Sequence, residues 1–436
     1  MSTLNRIFIK FALLLLFGAL LIGVVSSVAF LYPASFNNWL PFHMLRPMHT
    51  SAALFWIICG ASGCICYFKN QQYPDDGMVK KLTAIFIVMW IAVIIAAFVN
   101  YAMGNFGGRE YWEFPPYLNL PLLIGWLAIT FLILRGFRKD TPAYEWMWMT
   151  GIVFFLITFT EQNLWQLSWF RESYIREVTV QWKANGSMVG AWNQMINGLS
   201  IYVLIRISGN EGLGTSKKTY FLFFLGLFNL MFNWGHHVYN LPNANWMGGV
   251  AYAVSMTEWV ILIIIIRGFR KKLDENRKLK HYLSYRFIMA AEFWLFANLF
   301  LALLMSVPAL NRYTHGTHIT VAHAMGTTIG INTMMLLAVI GYIFKANELP
   351  ERLKKTIAFC IRFNNYSLGV FWLSLIIAGL IKGYIMVSQP DMDFNSLMKP
   401  VLPFIEAFAG AGFFVFLSLG VIVVIFLRIK VEKPNH

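Results

Sequence analysis

Twelve apolar stretches divide this chain, at roughly 7–31, 47–68, 82–103, 117–134, 146–168, 180–205, 219–240, 246–266, 282–308, 317–344, 356–385 and 400–427. Each approaches or exceeds the ~20 apolar residues that a helix needs to cross a bilayer. The basic residues occupy every second gap between them. Segments holding Arg6 and Lys10, Lys69 to Lys81, Arg135 to Lys139, Arg206 to Lys218, Arg267 to Lys280, Lys345 to Lys355 and Arg428 to Lys433, with Arg286 and Arg362 at helix ends, collect 27 of the 35 Lys and Arg; the intervening segments hold 8. Cytoplasmic loops accumulate Lys and Arg, and a missed or extra span would break the alternation at one point. The sequence therefore predicts an all-α, polytopic membrane protein of twelve transmembrane helices with both termini cytoplasmic. Residues 1–436 are expected to form a single transmembrane domain.

Composition agrees. Only 13% of residues are charged and 58% are hydrophobic, too few polar side chains to cover a soluble surface of this size. A net charge of +15 would suggest nucleic acid in a soluble protein. Here it follows from topology and from attraction to anionic membrane lipid, and no nucleic-acid partner is expected. The first apolar run is too long for a signal-peptide core. The four cysteines form no CxxC or CxxCH pattern, which argues against a disulfide scaffold and a covalently attached c-type haem.

The histidines sort to one side. Of nine, His49 starts the second span at its outer end, His236 and His237 end the seventh there, and His315, His318 and His323 run along the outer start of the tenth. A single buried histidine usually has a packing explanation. Six at one depth on three helices favour haem or metal ligation, because unpaired ionisable groups are costly at that depth. His323 and Met325 are about 200° apart around a helix and face opposite flanks. Met325 can be a haem ligand, although a lone methionine in an apolar protein is ordinarily packing.

These residues resemble the haem–copper oxidase superfamily, and within it the large, catalytic subunit of bacterial nitric oxide reductases, over nearly the whole chain. Leu45-Arg46-Pro47-Met48-His49-Thr50 looks like the segment that supplies one axial ligand of a low-spin b-type haem. Gly108-Arg109-Glu110-Tyr111 is similar to an outer-loop motif whose Arg contacts haem propionates and whose Glu helps hold calcium. Without the family pattern, Arg109 and Glu110 would equally suit a surface ion pair. Gly235-His236-His237 looks like the two-histidine contribution to a non-haem metal, iron or copper. Thr314-His315-Gly316-Thr317 with Ala322-His323 looks like the approach to the proximal ligand of a second, high-spin b-type haem. Glu258 falls where the reductases carry a buried Glu and would relay protons. Gly190-Ala191-Trp192 keeps the pattern of the sixth span. The resemblance places the protein in the bacterial inner membrane.

The chain also departs from that family. The reductases place a His and two Glu on the sixth span; Asn185, Val189 and Asn193 stand there. A neutral amide is a weak ligand for a transition metal, so His236, His237 and Asn185 could hold iron or copper weakly, recruit Lys183 or His318, or hold none. Met325 replaces a His, leaving His49/Met325 ligation or loss of that ligand as open readings. The resemblance implies reduction of nitric oxide to nitrous oxide. Alternatives are a nitric oxide dismutase-like enzyme, which the Asn substitution resembles, a terminal oxygen reductase, and a non-catalytic haem gas sensor or electron-transfer subunit. Electrons are expected from a cytochrome c-type subunit or soluble donor on the outer face, docking near 104–117, and the substrate is expected to be a small gas, NO or O2.

Overall fold

The computed structural model describes residues 2–36, 40–135, 137, 140–232, 234–235, 242, 244–272 and 275–430. Long helices run over α1 (Ser2–Leu31), α2 (Phe42–Gln72), α3 (Gly77–Ala102), α4 (Asn119–Leu134), α5 (Ala143–Gln162), α6 (Tyr174–Ser208) and α7 (Lys217–Phe232). They continue with α8 (Asn245–Lys272), α9 (Tyr282–Ser306), α10 (His318–Ile343), α11 (Glu351–Ser388) and α12 (Leu402–Arg428). No strand occurs among the described residues beyond an isolated bridge between Arg109 and Trp112.

Among the described residues, nine of these helices are long and apolar enough to cross a membrane. The other three expected spans fall on α6, α7 and α8. α6 carries Asn185, Asn193, Gln194 and Asn197 among its apolar residues, which dilutes its hydropathy. α7 is 16 residues long as described. Several helices overrun their apolar stretches. α11 begins at Glu351 behind Pro350, whose fixed φ suits a helix entry. α2 starts at Phe42 and holds Pro47 in its second turn.

The helices gather into two compact units. One unit comprises residues 1–13, 54–279 and 430–436. Its core is aromatic. Trp126 lies 5.0 Å from Trp90 and 4.2 Å from Phe155 between ring centroids. Both indoles spend their N–H groups on backbone carbonyls, Trp90 on Leu122 at 3.1 Å and Trp126 on Ile152 at 2.8 Å, as a buried Trp requires. α5 and α6 approach closely at small residues. A Cβ at Gly151 would lie 2.7 Å from the Ala191 carbonyl oxygen, and one at Gly198 would lie 2.6 Å from Trp148. Small residues let helix backbones meet where lipid supplies no hydrophobic drive. At the start of α3, Asp76 accepts from the Met78 and Val79 amides and pairs with Arg135 at 2.8 Å.

The other unit comprises residues 14–53 and 280–429. α11 and α12 pack through Phe371 and Phe408, 4.4 Å apart, and around Ala378, Val401 and Ile405. α10 lies against α9 and α11 with almost no clearance. A Cβ at Gly330 would stand 2.4 Å from the Trp294 ring, and one at Gly379 would stand 2.6 Å from the Ile319 amide nitrogen. α10 is not uniform: residues Gly326–Thr333 form a π-helical stretch between two α-helical ones. Such turns are uncommon and recur at functional sites.

Candidate functional site

Three of the expected ligand residues, His49, His323 and Met325, belong to one unit. His49 projects from α2 towards α1. Its Nδ1 donates to the Ala19 carbonyl at 2.8 Å. A carbonyl can only accept, so in the neutral ring the proton sits on Nδ1 and Nε2 keeps its lone pair. Gly23, one turn further along α1, makes room for the ring: a Cβ there would lie 2.8 Å from His49 Cε1. An imidazole fixed through one nitrogen by a backbone carbonyl, with the other nitrogen free to coordinate, is how proteins prepare a metal ligand.

His323 lies in the last turn before the π-helical stretch. Its Nδ1 is buried without a hydrogen-bond partner, and such orphaned groups are rare in native proteins. Its backbone carbonyl accepts from Asn298 Nδ2 at 3.0 Å and from Thr327 Oγ1 at 3.1 Å. Met325 is half-buried two residues on. Nearby, His318 heads α10 with its Nδ1 also buried and unpartnered. His315 lies in the turn before it, where burial holds the imidazole below its ordinary pKa. The donor set on α2 and α10 suits haem iron, with a free nitrogen on His49, an unpartnered nitrogen on His323 and the Met325 thioether, and glycines seat each helix against its neighbours: Gly23 beside His49, Gly330 and Gly379 along α10.

Arg109 belongs to the other unit. Its loop is tight. A Cβ at Gly108 would lie 1.7 Å from the Trp112 carbonyl oxygen, and Tyr111 adopts φ 74°, so position 108 admits only glycine. Arg109 donates through Nε to Glu177 on α6, and its guanidinium lies 4.0 Å from the Trp165 ring centroid. Its carboxylate partner is therefore Glu177, a residue that the loop motif alone gave no reason to choose. Glu110, in the same loop, was expected at a calcium.

Asn185 sits on α6 with its Oδ1 buried and unpartnered. Lys183, considered as a substitute ligand, gives its ammonium to both oxygens of Glu161, each at 2.6 Å, which removes it from that role. His236 and His237 lie outside the described residues. Glu258 lies on α8, but its side chain is outside the described set. No group of three or more His, Cys, Asp and Glu among the described residues could hold a metal ion. Asn185 alone, a neutral amide, does not make such a site.

An all-helical membrane protein with histidines poised on two of its helices is the class this fold and site define. The chain belongs to the cytochrome c and quinol oxidase polypeptide I family, the haem–copper oxidase large subunits, whose model matches residues 3–426. It is 22% identical over 367 residues to a nitric oxide reductase subunit of Stutzerimonas stutzeri, covering 76% of this chain and 73% of that one. It is also 22% identical over 401 residues to a cytochrome c oxidase subunit 1 homologue of Azorhizobium caulinodans, covering 86% and 71%. The fold matches a heme-copper terminal oxidase solved as a dimer by cryo-EM, with TM-score 0.77 and 13% identity, over 100% of this chain and 85% of the other.

Proposed function

We propose that this chain is the catalytic subunit of a haem-dependent oxidoreductase in the bacterial inner membrane, that its twelve helices form one transmembrane domain, and that it reduces nitric oxide to nitrous oxide. The observation that carries this reading is the prepared His49 imidazole, its Nδ1 spent on the Ala19 carbonyl, in the same unit as His323. His49 and Met325 would hold a low-spin b-type haem, and His323 would hold a high-spin one. When bound, the haems supply electron transfer and a site where a diatomic gas coordinates.

The chain's own residues have the remaining work. Two NO, two electrons and two protons give one N2O and one water, so protons must reach a buried site. Glu258 on α8 is the acid we assign to that relay. His236 and His237, with Asn185 replacing a stronger donor, would hold the non-haem iron or copper. By the family resemblance, Arg109 is assigned to a haem propionate and Glu110 to calcium. Electrons would come from a cytochrome c-type subunit or soluble donor at the outer loops. NO is uncharged and small, so it needs no polar channel.

Disproportionation of NO is the second reading. Asn185 favours it, since a site with a weak second metal and few acids suits a reaction that takes no external electrons or protons. Haem and metal analysis of the purified protein, followed by gas analysis with isotopically labelled NO, separates the two. Two haems with a second metal, and N2O formed only with a reductant, support reduction. N2 and O2 released without reductant would replace it with disproportionation. A haem-free protein would overturn both readings.

A further inference from the structure

Asn298 on α9 holds the turn that carries His323, and nothing in the sequence motifs assigns it a role. Its Nδ2 donates to the His323 carbonyl at 3.0 Å and to Thr327 Oγ1 at 2.7 Å. Thr327 Oγ1 in turn donates to the same carbonyl at 3.1 Å. The amide thus bridges the last turn of the first α-helical part of α10 to the first turn of its π-helical stretch. Asn298 is almost fully buried at 1% exposure. A buried amide with two hydrogen bonds to one turn fixes that turn, because both bonds are made away from competing water.

The other end of the amide is aimed as well. Asn298 Oδ1 is buried without a partner, and so is Trp372 Nε1 on α11. Both face Gly326: a Cβ there would lie 2.6 Å from Asn298 Oδ1 and 3.2 Å from Trp372 Nε1. An unpartnered acceptor and an unpartnered donor therefore come within hydrogen-bonding reach of one point, and only glycine at 326 leaves that point open. Trp294 fixes the next turn by covering Gly330, and it donates through Nε1 to Asn365 at 3.2 Å.

We propose that Asn298, with Thr327 and with Trp372 acting across Gly326, is a positioning residue that sets the orientation of the His323 imidazole. The π-helical stretch widens α10 and would let the His323 turn settle in more than one register. The amide selects one by tying the His323 carbonyl to Thr327, while one water at the point that Gly326 leaves open would join the indole N–H to Oδ1. This deepens the reading of His323 as a haem ligand and rests on it.

The test uses the purified holoprotein and resonance Raman spectroscopy of its ferrous form, read at the iron–histidine stretching band. Wild type should give a single band that disappears in His323→Ala. Asn298→Ala and Thr327→Val should retain haem content but shift or split the band. Thr327→Ser, which keeps the hydroxyl, should restore it. Trp372→Phe should move it in the same direction by less. A band that depends on His323 yet stays unmoved in Asn298→Ala and Thr327→Val at full haem content overturns the positioning role and leaves the ligand reading standing. A band that survives His323→Ala overturns the ligand reading itself. If Asn298→Ala fails to accumulate, the Thr327 pair decides the matter.

Discussion

A single missing side chain governs His49. The imidazole occupies space that any residue larger than glycine would enter at position 23, since a Cβ there lies 2.8 Å from its Cε1. The Ala19 carbonyl then locks the ring through Nδ1. Gly23→Val should push the ring off that carbonyl and reduce low-spin haem content by half or more while the chain still inserts. Absorbance of the reduced b-type haem, normalised to protein, checks this; full occupancy would mean that the ring has another seat. Met325 invites the opposite change. Met325→His should give two imidazole ligands and lower the low-spin haem's reduction potential, because thioether ligation raises it. Redox titration measures the shift, and an unchanged potential would remove Met325 from the ligand set. His49 was legible because Leu45-Arg46-Pro47-Met48-His49-Thr50 is a recognisable string. Gly23 and Ala19 were not, because an apolar helix displays such residues everywhere and only the packed structure shows which of them touch the ring.

Helix α6 shows what periodicity and hydropathy miss at the next scale. Its N-terminal end carries Arg176, Glu177 and Lys183, which would ordinarily argue against burial. Each has a partner on a neighbouring element: Arg176 stacks 4.3 Å from the Trp169 ring centroid, Glu177 takes Arg109, and Lys183 takes Glu161. The pairs straddle different elements, so no reading of α6 alone could find them. Among the described residues each apolar stretch overlaps a helix, nine of them long and apolar enough to cross a membrane, and paired charges carry one helix well beyond its apolar stretch, at Tyr174–Ser208. Lys183→Met should leave the Glu161 carboxylate without its partner. The loss should be about 1–2 kcal/mol, between an exposed and a buried pair. The double change with Glu161→Gln should recover most of it. Thermal unfolding in detergent would read both, and equal loss in single and double variants would deny the coupling. Packing offers a second check on this element. Gly151→Leu should cost about 1–3 kcal/mol through forced separation of α5 from α6, because the Ala191 carbonyl and Met195 leave no space for a Cβ.

For the whole molecule, the alternation of basic segments makes a claim that nine apolar helices among the described residues do not by themselves test. Helix count and loop sidedness are separable, and α6, α7 and α8 are where they part: polar side chains dilute one and the described length limits another. Sidedness can be measured directly. All four native cysteines are buried, so a membrane-impermeant thiol reagent added to intact spheroplasts should meet a low background. Asp75 and Lys345 are exposed in segments assigned inside; Tyr174 and Gln389 are exposed in segments assigned outside. Single cysteines at 174 and 389 should label in intact spheroplasts, and those at 75 and 345 should label only after permeabilisation. The four sites bracket α6, α7 and α8. Between 75 and 174 the sequence predicts three crossings, between 174 and 345 five, and between 345 and 389 one, all odd, so each neighbouring pair must fall on opposite sides. Labelling of 345 from outside, with 174 also outside, would make the number of crossings between them even. That result would remove or add a span within α6 to α10, and with it the common depth of His49, the histidines ending the seventh span, and His323 on which the haem reading depends.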